Sequence, residues 1–248
     1  MRRVNLIPMA GEGKRFIDAG YTMPKPLIEI KGLPMVVMAA KSLPDADQWI
    51  FICQEKHITE ENIEQVLVNH FPGALVLAVD HLTEGQASTC LLARDHLLPD
   101  DQLIIGACDN GMKYNSKKYG QMMKKNDALV WTFRNNPAVL QNPKMYGWVK
   151  VNISGVATGV SCKIPISNDP INDHAIVGAF SFKKASYFLD SADKMIEKNR
   201  TINNEFYLDV VLDECVVNGY KVTPFEVNNY ICWGTPADLI KYEEIENE

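Results

Sequence analysis

The sequence predicts an α/β fold in which a mostly parallel sheet is flanked by helices. Three observations carry that expectation. Short runs rich in Val, Ile and Leu alternate with helically spaced stretches as far as Phe133, the pattern of strands joined by helical crossovers. One run, "QLIIGA" at 102–107, is apolar without a break and belongs in mid-sheet, covered on both faces. Hydrophobic residues form 46% of the 248-residue chain, enough for a substantial core and too many for a disordered one.

In chain order, "VNLIPM" reads as a buried strand bounded by glycine, and Pro34 opens a helix through Leu43. "QWIFIC" is a second strand. Thr59 is placed as the N-cap of a helix, with acids in the first turn and Ile63, Val66, Leu67 and His70 at helical spacing. Ala74–Val79 is a third strand, a helix starts at Gly85, and "QLIIGA" is the fourth strand, ending at "CDNG". "SKKYGQMMKKN" reads as a polar helix and "DALVWTF" as the next strand. Beyond Asn135 the pattern changes to two strands around a turn at Ser154-Gly155, then the strand "AIVGAFSFK" and a helix from Lys184 to Lys198. "NNEFYLDVVLDECVVNGY" reads as a helix stopped by Gly219, "KVTPFEV" as the last strand, and Pro236 as the start of a terminal helix. These elements make one domain spanning 1–248, with a nucleotide-binding half (1–135) and a β-rich acceptor-binding half (136–248).

The net charge of −6 argues against a general nucleic-acid surface. The six cysteines are scattered, without a C-x-x-C pair, as expected of a reduced, cytoplasmic protein. No signal peptide is evident, and no run approaches the roughly 20 apolar residues of a membrane span.

The chemistry concentrates in "LIPMAGEGKRFIDAGYTMPKPL", Leu6 to Leu27. Gly11 and Gly13 match the first two glycines of a dinucleotide fingerprint, but Phe16 stands at the third, which speaks against a dehydrogenase; the P-loop pattern is absent. Behind a buried strand, the two glycines let backbone N–H groups approach a ligand at the strand's carboxyl end. Arg15 offers a planar fork of donors to phosphate oxygens. Lys25 is a point charge between two stiffening prolines. Taken alone, such a hexapeptide is equally a basic surface turn; its place after a strand points to a polyphosphate.

These residues resemble the signature of the sugar-nucleotidyltransferase (NTP-transferase) family, G-x-G-x-R followed by P-K-P-L. The likeness continues through "EGQAST", "GACDNG", "YGWVKV" and "WGTPADLIKY", nearly the whole chain. It implies a Rossmann-like, GT-A-like fold and an enzyme that joins a nucleoside triphosphate to a phosphorylated acceptor with Mg²⁺, releasing pyrophosphate. It further implies that Met9, Ala10, Gly11, Gly13, Lys14 and Arg15 wrap the triphosphate and that Lys25 contacts the reacting phosphates. Gly85 and Gln86 would meet the base, and Asp109 would hold the metal. Gly147, Lys163, Gly178, Glu205 and Asp209 would line the acceptor side.

Two departures stand out. Where many relatives carry a second metal-binding aspartate, this chain has Cys232 and Trp233, and a thiol is a poor Mg²⁺ ligand. Asp209 or Glu205 could substitute, bind the acceptor, or be ordinary helix acids. Where hexose-phosphate enzymes often carry Glu-Lys-Pro, Cys162 replaces the glutamate, which argues against a standard glucose-1-phosphate pocket. The short chain is similar to bacterial surface-polysaccharide cytidylyltransferases, so CTP is the favoured nucleotide, with a sugar phosphate, phosphocholine or phosphoglutamine as acceptor. The alternatives are a GT-A-type glycosyltransferase and a catalytically inactive nucleotide-binding regulator. Whether the chain forms a homo-oligomer stays open.

Overall fold

The computed structural model describes residues 1–246. The first half supplies β1 (Arg3–Pro8), α1 (Lys14–Asp18), the small hairpin β2 (Glu29–Ile30) and β3 (Leu33–Pro34), α2 (Met35–Lys41), β4 (Gln48–Gln54), α3 (Glu55–Thr59), α4 (Ile63–His70), β5 (Leu75–Val79), α5 (Gln86–Leu91), β6 (Gln102–Ile105), β7 (Asn110–Lys113), α6 (Ser116–Lys125) and β8 (Ala128–Phe133). The second half supplies α7 (Ala138–Gln141), β9 (Gly147–Val151), β10 (Ala157–Cys162), β11 (His174–Phe182), α8 (Ala185–Glu197), α9 (Leu208–Val217), β12 (Val222–Glu226), β13 (Asn229–Cys232) and α10 (Pro236–Glu246).

The main sheet runs β5-β4-β1-β6-β11-β8-β12, with the β9–β10 hairpin paired to the first half of β11. Pairing is parallel among β5, β4, β1 and β6, and again between β8 and β12; β11 is antiparallel to both neighbours. Period-2 side chains split the core between the two faces. Val4, Leu6, Ile50, Ile52, Leu103 and Ile105 face the layer holding Phe188 and Val211, while Ile7, Phe51, Cys53 and Ile104 face the layer holding Val37 and Leu67. A third cluster joins Phe16, Ile30, Met35, Trp233 and Leu239, packing α10 beside α1. Among the described residues no helix is long and apolar enough to cross a membrane.

Several boundaries differ from the sequence reading. Thr59 ends α3, where its hydroxyl donates back to Glu55 O, and Asn62 in left-handed geometry opens α4 instead. Asn203 to Tyr207 is not helical, because Asn203 and Asn204 both take positive φ in a tight turn, so α9 starts at Leu208. β7, which begins within "CDNG", pairs antiparallel with β13, a strand beyond the one read as last. β11 also enters between β6 and β8, so the chain alternates strand and helix through Phe133 without β8 lying beside β6.

Candidate active site

The loop after β1 lies at the carboxyl end of the parallel strands. Met9 and Ala10 bury their side chains in the two core layers, and the Met9 N–H donates to Ile52 O. Gln54, at the end of β4, donates from Nε2 to the carbonyls of Ala10 (2.9 Å) and Gly11 (3.0 Å), fixing the loop's backbone. Sequence reasoning missed Gln54; its position at the neighbouring strand's end was the available signal. Gly13 caps α1 at φ 67°, and a Cβ there would stand 3.1 Å from Lys25 Cβ, so the glycine permits the two motifs to meet. Gly11 has open space around it and no unusual φ, so the fold's own packing gives no reason for a glycine there. Phe16, at the place of a third fingerprint glycine, is a buried anchor of α1. Lys14 and Arg15 are exposed in the first turn; Arg15 borders the main cleft, whereas Lys14 borders only a side groove.

Pro24 and Pro26 shape a single 3-10 turn, Lys25–Leu27, closed by Leu27 N–H to Pro24 O. That turn delivers Lys25 Nζ to Asp109 Oδ2 at 2.5 Å, the side chains 17% and 27% exposed. Burial opposes the Lys25 charge, but the Asp109 carboxylate outweighs it and the ammonium's pKa is raised. The pair stands at the junction of two cavities of about 390 and 460 Å³, which share Lys25, Gln86, Ala107 and Asp109. Met9, Ala10, Gly11, Gly13, Gly85 and Glu205 line the smaller. Gly147, Lys163, Gly178 and Asp209 line the larger, with Tyr146, Tyr207 and Tyr230, which the sequence did not flag.

In the larger cavity, Gly147 opens space for Asp209: a Cβ at 147 would meet Asp209 Oδ2 at 2.3 Å. Burial pushes the Asp209 carboxyl up to about 6, against the Cys162 thiol and the Lys163 ammonium. Burial and the nearby Asp209 hold Cys162 as a protonated thiol. A carboxylate from α9 therefore reaches the site beside Cys162, where the resemblance leads one to expect a glutamate. Lys163, at φ 59°, donates from Nζ to the Tyr207 hydroxyl at 2.5 Å and lies 4.4 Å from its ring centroid. Gly178 sits at φ 94° where the β11 register shifts, close to Asn110 and Ala107.

The Asp109 carbonyl accepts from Trp233 N–H, joining the end of β6 to the "WGTP" segment. Gly111 is required there, since a Cβ would stand 2.7 Å from the Trp233 ring. Cys232 is a poor hard-metal ligand: burial pushes its thiol up to about 11, and Sγ lies 3.5 Å from Asp238 Oδ2. Asp238 itself accepts from Thr235 Oγ1 at 2.6 Å. Among the described residues no group of three or more His, Cys, Asp or Glu gathers to hold a metal. The residues present suit a hard cation of another kind: Mg²⁺ takes one or two carboxylates and completes its shell with water and phosphate oxygens. Asp109, facing the junction of the cavities, is the carboxylate placed for that.

A Rossmann-like sheet whose parallel strands end at a glycine loop, a lysine and an aspartate defines a nucleotide-handling α/β enzyme. The chain belongs to the nucleotidyl transferase family, whose model matches residues 4–211. A sequence search of curated proteins finds no match. Among solved structures, a nucleoside-diphosphate-sugar pyrophosphorylase from Vibrio cholerae RC9 superposes with a TM-score of 0.79 at 18% identity, covering 98% of this chain and 100% of that one. An inositol-1-phosphate CTP transferase from T. maritima gives 0.72 at 17%, covering 99% and 95%. A UTP-bound UGPase from Acinetobacter baumannii gives 0.72 at 14%, covering 99% and 93%. At such identities the likeness establishes the fold.

Proposed function

We propose that this enzyme joins a nucleoside triphosphate, CTP by preference, to a phosphorylated acceptor and releases pyrophosphate. The observation that carries the reading is the Lys25–Asp109 pair at the junction of two cavities, one walled by the glycine loop and the other by Asp209, Lys163 and Tyr207. Residues 1–135 would form the nucleotide half and 136–248 the acceptor half of one domain. The open space at Gly11 suits a backbone against which a triphosphate lies.

An acceptor phosphate oxygen attacks the α-phosphorus, the α–β bridging P–O bond breaks, and pyrophosphate leaves with the electron pair. The nucleophile is already anionic, so no general base is needed. Mg²⁺ held at Asp109 would neutralise phosphate charge. Lys25 and Arg15 stabilise the charge that builds on the phosphoryl oxygens, and the two cavity walls hold the reactants in line. Lys25 stays protonated for that task because Asp109 offsets its burial.

The preference for CTP rests on the likeness to short bacterial cytidylyltransferases. The same likeness suggests a cytoplasmic role in making surface or capsular polysaccharide precursors. The deciding experiment is a matrix of CTP, UTP, dTTP, ATP and GTP against sugar 1-phosphates, phosphocholine and phospho-amino acids, read by pyrophosphate formation. Consumption of a nucleotide sugar without pyrophosphate would instead indicate glycosyl transfer. Nucleotide binding without turnover on any acceptor would indicate a regulator.

A further inference from the structure

The glycine at 85 has a cause inside the fold. A Cβ there would stand 2.6 Å from Phe206 N and 2.7 Å from Phe206 O, so the absent side chain leaves the space that the Phe206 backbone fills. Two hydrogen bonds fasten that contact, Phe206 N–H to Glu84 O at 2.7 Å and Ala87 N–H to Phe206 O at 3.0 Å. Just upstream, Ile202 and Glu205 exchange both backbone hydrogen bonds at 3.0 Å around Asn203 (φ 53°) and Asn204 (φ 64°). Two positive-φ residues at the centre of a two-residue loop are the mark of a type I′ turn. From this fastened point the chain serves both cavities: Glu205 lines the nucleotide side, while Tyr207 and Asp209 line the acceptor side. Tyr207 in turn receives the Lys163 ammonium, and Asp209 fills the space beside Gly147.

We propose that Gly85 is a positioning residue for the acceptor half, setting the height of Phe206 and through it the places of Tyr207 and Asp209. The glycine then serves packing against the 202–207 segment, beyond any approach of its own backbone to the nucleotide base. This deepens the transferase reading and rests on it. A glycine needed only for base approach would make its loss a nucleotide-binding defect; a glycine needed for Phe206 makes it an acceptor defect.

The test is Gly85→Ala, assayed with both substrates varied. The acceptor KM is expected to rise about tenfold or more, and further than the nucleotide KM, because Gly85 and Glu205 themselves border the nucleotide cavity. Because an alanine at φ 125° is itself strained, a second variant leaves residue 85 alone. Replacing Asn203 and Asn204 together by alanine removes the turn's left-handed residues and should give the same acceptor-side signature. Thermal melting confirms that both variants fold. A rise in nucleotide KM with an unchanged acceptor KM overturns the proposal. If the wild-type enzyme forms no pyrophosphate with any acceptor, the transferase reading fails, and one measurement still decides this inference. Hydrogen exchange at the Phe206 and Ala87 amides should quicken in Gly85→Ala. Unchanged exchange overturns it.

Discussion

Burial pushes the carboxyl of Asp209 from an ordinary 3.8 up to about 6, although the Cys162 thiol and the Lys163 ammonium pull the other way. The folded state therefore binds more protons than the unfolded chain between those values. The contribution to stability is full below about pH 4, falls as the pH rises towards 6, and stays low above it. Asp209→Asn removes the penalty, so at pH 8 it should stabilise the protein by roughly 2–3 kcal/mol and near pH 4 hardly at all. Thermal melts of both proteins across that range check the sign. The same substitution should raise the acceptor KM, since the carboxylate lines that cavity. A stabilised variant with weakened acceptor use would mark Asp209 as kept for function rather than for the fold. At the cavity junction, Lys25→Ala and Asp109→Ala should each lower turnover by roughly 10²–10³ with the fold intact. Near-normal pyrophosphate release from either would remove that residue from the mechanism.

The β1 loop, the "PKP" turn and the aspartate after β6 were legible in the sequence because each is a contiguous signal whose chemistry lies in its own residues. What could not be read depends on pairings between distant segments. The β7–β13 ladder joins residues 110–113 to 229–232, and neither strand was read from its own residues. The Asn203-Asn204 turn was absorbed into a helix because the acids and apolar residues after it keep helical spacing. The carboxylate beside Cys162 was equally hidden, since it reaches the site only because Gly147 leaves room for it. What fixes α9 against β10 is likewise long-range. Arg200 reaches Glu214 Oε2 at 2.6 Å and Asp213 Oδ2 at 2.5 Å, Lys198 also pairs with Glu214, and Asp213 Oδ1 accepts the Val160 N–H at 2.9 Å. Glu214 is fully buried, and despite that burial its two cationic partners hold its pKa below the usual range. Arg200→Met leaves Lys198 as its remaining cationic partner, so unfolding should cost roughly 2–3 kcal/mol less in urea titrations. Because α9 begins with Leu208 and Asp209, the acceptor KM should rise alongside, whereas the nucleotide KM should not.

On the proposed reading, with Mg²⁺ held at Asp109, the cation site would be only half built from protein. One carboxylate faces the junction of the cavities. Cys232, in the neighbourhood where the resemblance leads one to expect a second metal-binding aspartate, is a protonated thiol, and no larger ligand cluster forms among the described residues. Affinity for free Mg²⁺ should then be weak, since most of the coordination shell has to come from water and phosphate. A ligand that binds only the folded state stabilises it by RT times the logarithm of one plus the ratio of its free concentration to its Kd, so melting temperature reports which species binds. Millimolar Mg²⁺ alone should leave Tm unchanged within about 1 °C, and CTP with a chelator should raise it little. CTP with Mg²⁺ at about a hundred times its Kd should add roughly 2.7 kcal/mol, a shift of about 5–10 °C for a chain of this size. The excess over the two separate shifts is the signature of a metal carried in by the nucleotide. A full shift from Mg²⁺ alone would reveal a preformed protein site and place the missing ligands elsewhere. Cys232→Asp sharpens the comparison by placing a carboxylate beside the cavity junction. It should strengthen the response to Mg²⁺ alone and leave the response to the complex in place.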